Sequence, residues 1–227
     1  MKIIDSVINR LNFLKAHKIV NAEESLILSY IAAHSKNDID PRLKIKVLEA
    51  LKALIRKSKK NFGMLIILGW KREWNNQYAA LLDETQNLFE EKRYDLKNME
   101  IDEAVKVFSI MRDFDGAILI NKEGIIIASG IYLINLNPKK ALEKLKLQGE
   151  DLSQAFGFRE KVHTRHITAI TASLILEGTT AFTISEETRI IRMYENGRII
   201  YSSFQDEKKQ IIKAIKKDTK SCNPVLV

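Results

Sequence analysis

The 227-residue chain is 45% apolar and 29% charged, the balance of an ordinary globular protein with one substantial core. No apolar run approaches the ~20 residues that span a bilayer, so no membrane segment is expected. The N-terminal stretch, with Asp5 and Asn9 inside its apolar pattern, does not read as a signal peptide. A single cysteine, Cys222, excludes an internal disulfide framework and a cysteine metal cluster, and a cytoplasmic protein fits these features. The formal net charge of +8 is concentrated at the ends: residues 1–60 carry +7 and 206–227 carry +3, whereas 61–205 carry −2. Lysines on solvated helix faces account for such an excess, and nucleic acid is not expected as a partner.

In chain order, residues 1–40 predict a helical region. Ile4, Val7, Ile8, Leu11 and Leu14 form one apolar stripe at three- and four-residue spacing. Asn21 followed by Glu24 suggests a second helix start, with Leu26, Ile27, Tyr30 and Ile31 on its apolar side. Asp40-Pro41 marks a third start, because proline at the first helical position sacrifices no needed N–H; Ile45, Leu48, Leu51 and Ile55 continue it.

The pattern changes at Phe62. The glycine-bounded run to Gly69 reads as a buried strand. Helices are expected over 78–89 and 102–111, then a hairpin of 116–120 and 125–129 around the turn Asn121-Lys-Glu-Gly124. Residues 137–161, charged and mixed, read as a surface insertion. A helix over 165–177 and a strand over 181–184 follow. Residues 190–194 and 198–201 flank Glu195-Asn196-Gly197, a strong hairpin turn because Asn-Gly tolerates positive φ. The class is α/β, a mixed-sheet domain over 41–205 flanked by helices, preceded by the helical region 1–40 and followed by a basic C-terminal helix and tail, 206–227.

Three segments could carry chemistry. Asp115-Gly116-Ala117 places a carboxylate at the lip of a strand, with two small residues leaving room for a ligand; alone it reads more readily as a helix-to-strand turn with a solvated Asp. His163-Thr164-Arg165-His166 starts a helix, where Thr164 could cap the backbone and cations flank an anion-binding terminus; its bland counterpart is a surface basic patch. Ser185-Glu186-Glu187-Thr188, between two strands, could offer a hydroxyl and carboxylates to a phosphate and its metal, or be a polar turn.

In this order the segments resemble the diadenylate cyclase family, from about Leu51 to Ser202. Gly63-Met-Leu-Ile-Ile-Leu-Gly69 is similar to its opening strand, Asp115-Gly116-Ala117 to its D-G-A motif, and Ala128 to Leu133 to the strand whose aromatic-Leu backbone pairs with adenine. Residues 163–169 resemble G-[TA]-R-H-R-[TA]-A, and 184–189 resemble V-S-E-E-T-G. The resemblance implies condensation of two ATP into cyclic di-AMP, with release of two pyrophosphates, in a site shared by two facing protomers of a homo-oligomer. It implies catalytic roles for Asp115, Arg165 and His166, and nucleotide contacts from Gly116, Ala117, Tyr132, Leu133, Thr164, Ser185, Glu186 and Glu187. A divalent metal, Mn²⁺ or Mg²⁺, would sit at Asp115 and Glu186. Departures point to a divergent, archaeal-type branch. Ile167 stands where a second arginine is usual, His163 and Arg189 replace glycines, and Ile134 replaces a proline. Arg159, Lys161 or His163 could supply the missing cation. The alternative is a degenerate sensor that binds ATP or cyclic di-AMP without turnover.

Overall fold

The computed structural model describes residues 22–34, 37–81, 94–149 and 151–221; the stripe from Ile4 to Leu14 and Cys222 lie outside them. Helix α1 spans Ala22–His34 and α2 Pro41–Lys57. As the Asp-Pro pair predicts, the Asp40 carboxylate accepts from the Arg42 N–H at 2.9 Å. Strand β1 (Met64–Leu68) follows, then a 3₁₀ turn, the single helical turn α3 (Asn75–Tyr78), β2 (Ala79–Leu81) and β3 (Tyr94–Asp95). Helix α4 (Ile101–Met111) leads to β4 (Ala117–Ile120) and β5 (Ile125–Leu133). The expected helix over 78–89 is overturned at its start. Ala79–Leu81 is a strand, because Ala80 pairs with Tyr132 on the edge of β5; residues 82–89 are outside the described segments.

Two short helices come next, α5 (Pro138–Leu145) and α6 (Leu152–Ala155), then α7 (Thr164–Ile175), β6 (Thr180–Ile184), β7 (Ile191–Glu195), β8 (Arg198–Ser202) and α8 (Gln205–Ser221). The eight strands form one mixed sheet in the order β2-β5-β4-β1-β6-β7-β8, with β3 also on β5. Only β1 and β4 run parallel; the other pairings are antiparallel. At the β7–β8 turn both Asn196 (φ 51°) and Gly197 (φ 70°) take the left-handed conformation that an Asn-Gly hairpin predicts.

Both faces of the sheet are covered, so β1, β4 and β6 are buried at every position rather than alternately, β1 and β4 being wholly apolar and β6 carrying the buried Thr180 and Thr183. On one face Ile66, Leu68, Ile118, Ile120 and Phe182 pack against α1, α2, α4 and α8. On the other, Leu65, Ile67, Ala117, Leu119 and Ala181 meet α5 and α7. Residues 137–161 are therefore not a surface insertion alone. Ala141, Leu142, Phe156 and Phe158 are buried in this second core, an anchoring hidden in sequence by the lysines and glutamates between them.

Helix α1 also belongs to the packed body: Ile27 and Leu28 are fully buried beside α2, and Tyr201 donates to the Glu24 carboxylate at 2.7 Å. Two buried charge networks fasten the periphery. Lys44 of α2 donates to Glu195 at 2.6 Å and to Asn37, and Thr180 donates to the same carboxylate at 2.7 Å. Arg192 grips Glu207 of α8 with Nε at 2.7 Å and Nη2 at 3.0 Å.

Candidate functional site

Parallel strands β1 and β4 begin side by side, and their N-terminal ends, the C-terminal end of β5 and the start of α7 frame one cleft. It has a volume of about 330 Å³ and is lined by Asp115, Gly116, Ala117, Tyr132, Leu133, Thr164 and Arg165, together with Leu65, Ile131 and Thr168. Seven expected site residues from three separated segments thus meet in one place. A larger cavity, about 990 Å³, opens at the opposite ends of β1 and β4 around Gly69, Trp70, Lys71 and Arg72, and none of the expected site residues lines it.

Gly116 explains how the Asp115 lip reaches the cleft. Its φ is 86°, and a Cβ there would stand 2.8 Å from the Ile131 carbonyl oxygen and 2.9 Å from the Ile131 nitrogen. Only glycine allows β4 to enter so close to the backbone of β5. Asp115 is exposed at this lip, and Tyr132, at 54% exposure, stands at the cleft wall while Leu133 is buried beneath it.

Thr164 is the first residue of α7, not its cap. His163 holds the cap position and makes no side-chain capping bond. The first N–H groups of α7 therefore point out of the helix end, where the helix dipole favours an anion. Beside this terminus lies the β6–β7 turn. Ser185 is buried, its hydroxyl accepting from the Thr188 N–H at 3.3 Å, while Glu186 and Glu187 are exposed. Glu187 meets His163 at 3.1 Å and Glu186 approaches Arg165 at 4.0 Å, so the turn reaches the cleft through His163 and Arg165. Arg189, at the end of the turn, has φ 58°, a left-handed conformation in which glycine is at ease. Its guanidinium donates to the carbonyl of Ser58 at 2.8 Å and to that of Ile55, fastening the turn to the end of α2.

His166 is not in the cleft. It is buried in the layer between α7 and the sheet, with Nδ1 2.8 Å from the Thr183 hydroxyl and 3.0 Å from the Tyr194 hydroxyl. Burial first, then the nearby Arg192, Arg165 and His163 cations, push its pKa down to about 3. The imidazole is neutral at physiological pH, which corrects the expectation of a second cation at the phosphates. Ile167 is likewise buried in the second core. Arg159 does not replace the absent arginine: its guanidinium faces Gln210 and its backbone N–H donates to Glu207 at 3.4 Å, on α8. Lys161 is exposed and His163 stays at the helix cap. Among the described residues, Arg165 is the one cation lining the cleft.

Three further residues line the cleft without having been expected as site residues, although each lies within a motif segment: Thr168 falls four residues after Thr164 on the same helix face, and Leu65 and Ile131 are apolar strand positions that carry no sign of a ligand. Among the described residues no three His, Cys, Asp or Glu side chains gather as a ready-made metal cage. One or two carboxylates with hard oxygens still suit Mg²⁺ or Mn²⁺, which keep water and substrate phosphates as further ligands. Asp115, exposed at the lip, fits such a partial donor set. Among the described residues no helix is long and apolar enough to cross a membrane.

A family model described as "DisA bacterial checkpoint controller nucleotide-binding" matches residues 51–199. Two solved structures match this chain at low similarity. One is a hypothetical membrane spanning protein from Bacillus cereus, 17% identical, with a TM-score of 0.45 over 77% of this chain and 68% of that one. The other is a double mutant of DacA from Staphylococcus aureus, 17% identical, with a TM-score of 0.42 over 78% of this chain and 94% of that one. No curated protein matches.

Proposed function

The chain belongs to the diadenylate cyclase family, and we propose that it condenses two ATP into cyclic di-AMP, releasing two pyrophosphates. The observation that carries this reading is the meeting of Asp115-Gly116-Ala117, Tyr132-Leu133 and Thr164-Arg165 around one nucleotide-sized cleft. Each ribose 3′-hydroxyl attacks the α-phosphorus of the opposite nucleotide, and pyrophosphate leaves. Tyr132 and Leu133 bound the adenine pocket. Arg165, with Thr164 and the outward N–H groups of α7, binds the phosphates and offsets charge that grows on the pentavalent phosphorus and the leaving group. Asp115, with Glu186 reaching in from the β6–β7 turn, would hold a divalent metal, Mg²⁺ or Mn²⁺, which would supply charge neutralisation at the phosphates and lower the cost of deprotonating the attacking hydroxyl. Ser185 and Glu187 complete the phosphate side, and His166 acts from behind as a positioning residue through Thr183 and Tyr194.

One cleft holds one ATP, so the reaction needs a second copy of the chain facing the first about a two-fold axis. Holding the two nucleotides in line converts an encounter between molecules into a step within one complex. A second reading, a sensor that binds without turnover, is favoured by one observation: among the described residues Arg165 stands alone as lining cation, where the family resemblance leads one to expect two arginines. Incubation of the pure chain with ATP and Mg²⁺ or Mn²⁺, followed by separation of the nucleotides, distinguishes them. Cyclic di-AMP and pyrophosphate in a one-to-two ratio are expected. Bound but unreacted ATP with either metal assigns the sensor role instead.

A further inference from the structure

We propose that Gly63 is a positioning residue: the missing side chain at the entry to β1 is the seat that holds the Arg165 guanidinium over the cleft. This rests on the reading of Arg165 as the phosphate-binding cation. Gly63 lies one residue before β1 and two before Leu65, which lines the cleft. It is absent from the glycines with positive φ, so its backbone could be that of any residue. What requires glycine here is space. A Cβ at position 63 would overlap Nη1 and Cζ of Arg165 and stand 2.8 Å from Nη2. The planar guanidinium therefore lies against the bare α-carbon, reaching from α7 across to β1, with Glu186 4.0 Å from Nη1.

Gly116, which lines the cleft, provides the contrast. A Cβ at Gly116 meets fixed backbone, whereas one at Gly63 meets the far end of a flexible side chain. An alanine at 63 can be accommodated by swinging the guanidinium aside, which spares the fold and moves the cation. For a group whose work is to meet charge at a defined point, a displacement of about 1 Å can cost about a hundredfold in rate. Gly63 has no chemistry of its own, and its whole effect passes through Arg165.

A double-mutant cycle tests this on the full chain, with Gly63→Ala, Arg165→Ala and the pair. Gly63→Ala is expected to melt within a few degrees of the parent and to lose about tenfold to a hundredfold in cyclisation rate. In the Arg165→Ala background the same substitution is expected to have no further effect. If the two losses multiply, Gly63 acts independently of Arg165 and the proposal is overturned. Failure of Gly63→Ala to fold overturns it too, because the space would then serve the backbone. Affinity for a non-hydrolysable ATP analogue, measured by calorimetry on the same four proteins, keeps the two readings apart. A parent that never forms cyclic di-AMP sinks the proposed reaction, yet the cycle still reads out in affinity. Gly63→Ala that binds the analogue and turns over ATP like the parent sinks the seat.

Discussion

Lowering the pH from 7.5 to 5.5 should destabilise the protein through His166. Its ordinary pKa is 6.5 and the folded value is about 3. Between those limits the unfolded ring takes up a proton that the folded ring refuses, so stability rises with pH across the window and falls as the solution is acidified. One unit below 6.5 the loss is about 1.4 kcal/mol, and each further unit toward the folded pKa costs about as much again. For a chain of this size about 1.4 kcal/mol lowers the melting temperature by about 3–6 °C. Urea unfolding at pH 7.5, 6.5 and 5.5, kept above pH 5 so that carboxylates stay charged, measures the slope. The same series on His166→Asn provides the comparison, since whatever the substitution costs at pH 7.5, its own pH slope should be flatter by the histidine's share. The His166 ring proton resonance should also remain that of a neutral imidazole to pH 5. A ring that titrates between pH 6 and 7 would refute the argument.

Asp115→Asn should leave the fold intact while cutting the cyclisation rate at least about a hundredfold, about 3 kcal/mol in barrier, and a variant as fast as the parent would make Asp115 a turn residue only. Glu195→Gln leaves the fully buried Lys44 without its anion, so denaturant melts should show a loss of about 3–5 kcal/mol; a parent-like midpoint would mean that Asn37 suffices. Leu28→Ala should cost about 2–5 kcal/mol, because the side chain is fully buried between α1 and its neighbours, and a loss below about 1 kcal/mol would show that α1 is only loosely docked.

Much of this arrangement was legible in residue pattern. The glycine-bounded β1, the Asp-Pro start of α2 and the Asn-Gly hairpin each have a local cause, and local causes survive in the sequence. The cleft was legible as three separate segments, and folding brought seven of the named residues together. What stayed hidden was decided by distant partners. Gln77-Tyr-Ala-Ala-Leu81 has good helix formers, yet the open edge of β5 recruits Ala79–Leu81 as a strand. His166 follows Arg165, but a helix turns about 100° per residue, so one side chain faces the cleft while the next enters the core. The burial of Phe156 and Phe158 depends on a surface built by α7 and the sheet, which their charged neighbours do not announce.

The Arg189 anchor bears on any attempt to stabilise this protein. A non-glycine residue at φ 58° normally invites replacement by glycine, since relieving the backbone is worth about 1 kcal/mol or more. Here the strained residue also supplies the donors for two carbonyls near the end of α2. A glycine would relax one bond rotation and release a loop end, and the freed carbonyls of Ile55 and Ser58 would have to find water. Rigidity in this turn is thus inherited from a helix more than 130 residues away along the chain, as the separations of 134 and 131 positions make plain. Engineering of the phosphate side should treat the α2 terminus and the β6–β7 turn as one mechanical part.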